Sequence, residues 1–104
     1  MKGNMVHKNG SRLQSQVDET QVIVVRAGQS LSDLRCGGAQ MVALDARPNH
    51  VGIDPEFAVG TVLGKRYVAT DGAELLVTKP GQGTLSIGVV PLVVKEAAPL
   101  PASD

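Results

Sequence analysis

The stretch Arg66-Tyr67-Val68-Ala69-Thr70-Asp71-Gly72-Ala73 puts an Asp-Gly pair after one β-prone run and before another, Ala73-Glu74-Leu75-Leu76-Val77-Thr78. Such a pair supplies the φ > 0 residues of a tight two-residue hairpin turn, so the chain is expected to fold back there as antiparallel strands. The next turn cluster, Lys79-Pro80-Gly81-Gln82-Gly83, suits a longer loop into Thr84-Leu85-Ser86-Ile87, and Gly88-Val89 suits a type II′ turn into residues 90–96. A small, mainly β protein is therefore predicted, as an antiparallel meander or partly open barrel with one short helical turn at most and flexible termini.

Composition sets the same direction. The chain has 104 residues, enough for one domain. Fifteen valines and ten leucines stand against one Phe and one Tyr, so the core must be built from small branched side chains. Valine, stiff at χ1, favours strands. Ten basic residues balance ten acidic ones without a run of either sign, which argues against a nucleic-acid partner. No apolar stretch approaches the length of a membrane span, and the N-terminal residues lack the apolar core of a secretion signal. With a single cysteine, Cys36, no intrachain disulfide is possible, and a cytoplasmic location is expected.

Along the chain, residues 1–20 show no sustained period and read as a flexible polar arm, or as one that orders on a partner or a second copy. The β domain is expected over residues 21–96. Within it Val22-Ile23-Val24-Val25 reads as a central strand covered on both faces. Leu34 and Cys36 fall on one side of a short strand. Residues 45–64, punctuated by Pro48, Gly52, Pro55, Gly60 and Gly64, form the long connection, with a helical turn at Asp54-Pro55-Glu56-Phe57. Thr84 and Ser86 alternate with Leu85 and Ile87 as a wet and a buried face. Pro91 lacks an N–H, so Leu92-Val93-Val94 is expected at a sheet edge that needs cover. Residues 97–104, Ala-Ala-Pro-Leu-Pro-Ala-Ser-Asp, form a Pro-rich flexible tail.

Two places carry candidate chemistry. In Leu34-Arg35-Cys36-Gly37-Gly38-Ala39-Gln40-Met41, the Cys followed by two glycines resembles one arm of the metal knuckles of rubredoxin-like and zinc-ribbon domains, where glycines let backbone amides approach a metal-bound thiolate. Ala39 stands where the second Cys of a knuckle belongs, so the resemblance implies a degenerate module without metal. Alternatively Cys36 is a thiol activated by Arg35, or a buried small hydrophobe. His50 and Arg47, among Asp45, Asn49, Asp54 and Glu56, make the densest polar loop, a setting for a ligand or a general base. The candidate ligand-binding set is thus Arg35, Cys36, Gly37, Gly38, Arg47 and His50, with Cys36 and His50 the candidate catalytic pair. Gly60-Thr61-Val62-Leu63-Gly64-Lys65-Arg66 is no P-loop: its glycines are one residue too close, and Arg66 replaces the Mg²⁺-binding Ser or Thr.

No cofactor is expected. The preferred reading is a small non-enzymatic binding or accessory subunit that self-associates, by default as a dimer, or joins a larger protein through Leu92, Val93 and Val94. An enzyme or small-molecule binder using the Cys36/His50 region is the alternative.

Overall fold

Ten short strands and two 3-10 turns make up the regular structure of residues 7–95, the part of the chain that the computed structural model describes. The strands are β1 (Arg12–Gln14), β2 (Gln21–Arg26), β3 (Leu34–Cys36), β4 (Ala39–Gln40), β5 (Val42–Ala43), β6 (Arg66–Val68), β7 (Glu74–Lys79), β8 (Leu85–Ile87), β9 (Val90–Pro91) and β10 (Val93–Val94). They form two antiparallel sheets, one in the order β10-β6-β7-β2-β1-β5 and one in the order β4-β3-β8-β9, with no closed barrel. The protein is mainly β, as its turn chemistry requires. The 3-10 turns are Gln29–Asp33 and Pro55–Phe57, the second capped as expected by Asp54, whose carboxylate accepts the Glu56 N–H at 3.0 Å. One core lies between the sheets, built from Leu13, Val22, Val24, Tyr67, Leu75 and Val77 of the larger sheet and Leu34, Cys36 and Leu85 of the smaller.

Several local expectations need correction. The polar arm contributes β1, whose Leu13 is fully buried; a three-residue strand is too short to register as a period. Residues 1–6 and the tail, 97–104, lie outside the described residues, as does Glu96. β2 is central, between β1 and β7, but only Val22 and Val24 are buried, Ile23 is half-covered and Val25 is exposed, because each sheet has its partner on one face alone. Ser86 is fully buried, its hydroxyl donating to Gly88 O at 3.0 Å. The Pro80-Gly83 cluster is no hairpin: both edges of β7 are taken, by β2 and β6, so the chain crosses to the other sheet before β8.

The glycine turns sort by type. Gly37-Gly38, at φ 64 and 91, makes a type I′ turn between β3 and β4. Gly88 at φ 58, followed by a residue of negative φ, fits the expected II′ turn between β8 and β9. The Asp71-Gly72 loop has three residues rather than two: Ala69 pairs with Ala73, Gly72 N–H donates to Ala69 O, and only Gly72 has positive φ, at 92. Gly72→Val, with open space around the new side chain, is expected to cost about 1–2 kcal/mol from backbone strain alone, read as a lowered urea midpoint. An unchanged midpoint would refute the assignment.

The two halves of the chain follow the same path. β1 through β5 correspond to β6 through β10, and the backbone hydrogen bonds recur pairwise. Ser11 N–H donates to Lys8 O and Lys65 N–H to Val62 O; Met41 donates to Leu34 and Leu92 to Leu85; Leu44 donates to Arg12 and Lys95 to Arg66. Where the halves meet, Val22 pairs with Val77, Ile23 with Leu76 and Val24 with Leu75. With Val22 equivalent to Leu75 and Val24 to Val77, Ile23 faces its own equivalent, Leu76, and the two-fold axis runs between them. In the smaller sheet the axis runs between Arg35 and Ser86, since Leu34 pairs with Ile87 and Cys36 with Leu85.

A reciprocal clasp crosses this axis. Asp71 accepts the N–H of Ser30 at 3.0 Å and that of Ala73 at 3.1 Å. Its counterpart Asp18 accepts the N–H of Gly83 at 2.7 Å and that of Thr20 at 2.9 Å. Each half therefore supplies a turn carboxylate that holds the sheet-to-sheet crossing of the other half.

Candidate functional site

Cys36 points inward from β3 and is fully buried. Its thiol sits by Ser15 and Thr20, with Sγ 4.0 Å from Asp18 Oδ1. Burial pushes its pKa up, the Ser15 and Thr20 hydroxyls pull it back in part, and the Asp18 charge adds to the rise. The group is a protonated thiol at neutral pH, and its environment does not make it a nucleophile. Arg35 projects from the opposite face of β3 and pairs with Asp33 at 2.9 Å, not with the thiol. Gly37 and Gly38 turn a hairpin, with Gly37 N–H donating to Thr84 O. The knuckle-like sequence is accounted for by that geometry, and among the described residues no group of three His, Cys, Asp or Glu side chains is placed to hold a metal.

Arg47 and His50 are exposed in residues 45–54, and His50 adopts φ 55. No hydrogen bond or ion pair links either of them to Arg35 or Cys36 among the described residues. The segment instead lies across the outside of β1 and the β3–β4 turn: Val51 N–H donates to Gln16 O at 2.8 Å, Asn49 N–H to Gln16 Oε1 at 2.9 Å and Asp54 N–H to Gly37 O at 2.9 Å. Gln14 Nε2 donates to the carbonyls of Ala43, Leu44 and Ala46. The six candidate ligand residues are thus distributed over both faces of β3, its turn and a covering segment, and do not form one site.

The second half of the chain presents a different surface. A groove of about 400 Å³ is lined by Val68, Ile87, Val90, Pro91, Leu92 and Val93, with no charged side chain. On the other side of Pro91 and Leu92 a second groove, about 380 Å³, runs along Val59, Val62, Tyr67, Leu85 and Val94, with Glu56 its one charged residue. Val59 is 88% exposed, Val89 71% and Val93 63%. The sequence-predicted edge residues Leu92, Val93 and Val94 form the ridge between the two grooves. Sequence reasoning missed Val59, Val62, Val68, Ile87 and Val90, which come from four separated stretches. A third cavity, about 330 Å³, lies over β1, β2 and β7 and is lined by Arg12, Gln21 and Lys79 among others.

Comparison with protein-family models, with curated proteins and with solved structures finds no match to this chain. No helix among the described residues is long and apolar enough to cross a membrane.

Proposed function

We propose that this chain is a small non-enzymatic binding or accessory subunit that associates with a second copy of itself, or with a larger protein, through the apolar face of its second half. The observation that carries this reading is the contrast between equivalent positions of the two halves. Val68, Val90 and Pro91 stand on the backbone positions that Gln14, Ala39 and Gln40 occupy in the first half. At these positions the first half carries polar or small residues, with Gln14 bonded to the overlying segment at Ala46 O, and the second half carries the half-buried Val68 beside the exposed Val90 and Pro91; exposed apolar patches of that kind are where monomers meet partners. A small-molecule site is less well supported, because neither groove offers the convergent polar groups that orient a ligand. The lone buried thiol of Cys36 is compatible with a cytoplasmic place for the subunit.

A dimer is the default product of a self-complementary apolar face. Light scattering at micromolar concentration is expected to give twice the single-chain mass. Val59→Lys puts a charge on the second groove's rim at a position too exposed to matter for folding, and is expected to weaken association about tenfold or more with an unchanged urea midpoint. A wild-type mass of one chain would end the self-association reading and leave only a different protein partner.

A further inference from the structure

We propose that the cavity of about 330 Å³ over β1, β2 and β7 binds a small organic carboxylate, with its head held by Arg12 and Lys79 and its aliphatic body lying on Ile23 and Leu44. The site shares no lining residue with the two apolar grooves and is independent of the association proposed above.

The two-fold relation places a carboxylate of the chain itself at the equivalent point of the second half. Gln21 corresponds to Glu74, Arg12 to Arg66 and Leu44 to Lys95, and Lys79 corresponds to Arg26, since Gln21 pairs with Lys79 as Glu74 pairs with Arg26. Glu74 is only 6% exposed, and its two oxygens accept from Arg66 Nη1 at 3.2 Å and from Lys95 Nζ at 3.1 Å. A carboxylate so enclosed keeps its charge because a cation meets each oxygen.

In the first half the arginine is kept and the carboxylate is not. Gln21 offers a neutral amide where Glu74 offers a charge, and neither the Arg12 nor the Gln21 side chain has a hydrogen bond or ion pair among the described residues. Lys79 pairs with Glu19 at 3.5 Å, but both side chains are exposed, and a pair of that kind is weak enough for the ammonium to turn to a ligand. Leu44 puts an apolar side chain where the second half has its second cation, and with the half-covered Ile23 it gives the cavity an apolar part beside its charged one. The planar guanidinium of Arg12 suits a carboxylate head, and the apolar part suits a short aliphatic chain rather than a bare anion.

The test is a titration of the full chain with hexanoate, followed by backbone amide signals in NMR, with hexan-1-ol and inorganic phosphate as the two partial probes. Hexanoate is expected to give saturable shifts at Gln21, Ile23, Thr78 and Lys79, and each partial probe to bind about tenfold more weakly or worse. Gln21→Glu gives Arg12 the carboxylate that Glu74 gives Arg66, and is expected to weaken hexanoate binding by about tenfold or more. Arg12→Gln, at an exposed position where the fold does not depend on the side chain, is expected to do the same. Absence of saturable shifts at these residues would overturn the proposal, as would an affinity for hexanoate unchanged by Arg12→Gln or by a folded Gln21→Glu. Hexanol bound as tightly as hexanoate would reduce the cavity to an apolar patch, and phosphate bound as tightly would reduce it to a general cationic one; either result overturns the assignment.

Discussion

Gly83→Ala is expected to lower stability by about 3 kcal/mol or more, a large part of the roughly 5–15 kcal/mol that holds a domain of this size together. The cause is space. A Cβ at Gly83 would lie 2.8 Å from Cys36 Sγ, 2.8 Å from Gly37 N and 3.0 Å from Gly37 Cα. Two of these three atoms belong to the backbone of the β3–β4 turn, whose Gly37 N–H is bonded to Thr84 O, so the turn cannot give way without breaking its own pairing. The residue is also buried, and its N–H donates to Asp18. The equivalent position of the other half, Ser30, carries a side chain whose hydroxyl donates to Asp71, so the requirement for glycine comes from the thiol and the double-glycine turn rather than from the shared backbone path. Urea denaturation measures the effect, and Cys36→Ala in the same chain is expected to recover part of it by removing Sγ. A Gly83→Ala midpoint equal to that of the wild type would show that the crossing does not pack as tightly as these distances require.

What the sequence made legible is what glycine and proline enforce. The Gly88-Val89 turn, the Asp54-capped 3-10 turn and the edge placement of Pro91 follow from residues whose backbone options are few. The repeat of the two halves was not read, although it is written in the chain. Gly10-Ser11-Arg12 recurs as Gly64-Lys65-Arg66, Gly28-Gln29 as Gly81-Gln82, Leu34 as Leu85 and Val42 as Val93. Few positions are identical, and two of the connections differ in length between the halves, by one residue and by two, so a fixed period blurs. Register is carried by backbone bonds that tolerate many side chains, and for that reason the shared path survives where the sequence likeness fades. The candidate site was half legible for a related reason. Leu92 to Val94 form one run beside Pro91 and are visible as an edge, whereas the walls of the grooves are assembled from Val59, Val62, Val68 and Ile87, which only the topology brings together. Cys36 and His50 looked like partners because both stand out in composition, but strand alternation turns Cys36 inward while residues 45–54 pass over the outside.

Asp18→Ala is expected to cost about 2–3 kcal/mol at neutral pH, more than Asp71→Ala, and to remove part of the protein's sensitivity to acid. Asp18 is the more enclosed of the two clasp carboxylates. Burial alone would raise its pKa, but the N–H groups of Thr20 and Gly83, with the hydroxyls of Thr20 and Ser15, hold it below the ordinary carboxylate range. Asp71 is exposed and is held low by the N–H groups of Ser30 and Ala73, so its bonds compete with water and contribute less. For a carboxyl whose folded pKa is depressed, the stabilisation is complete above its unfolded value, near 3.9, and is lost as pH falls through the folded pKa. Glu74, held low chiefly by its bond from Lys95, adds to the same acid limb in every variant. The difference between wild type and Asp18→Asn therefore isolates one carboxylate: the amide keeps an acceptor oxygen for the Gly83 N–H but has no charge to lose. Urea midpoints measured from pH 7 down to pH 3 are expected to fall less steeply for Asp18→Asn than for the wild type, with Asp71→Asn between them. Equal slopes would mean that the crossing of the second half is held by packing around Gly83 and Cys36, with the carboxylate a bystander. A lowered slope in both Asn variants would show that the two halves are joined at each crossing by a charge borrowed from the other half, so that neither half is complete without its counterpart.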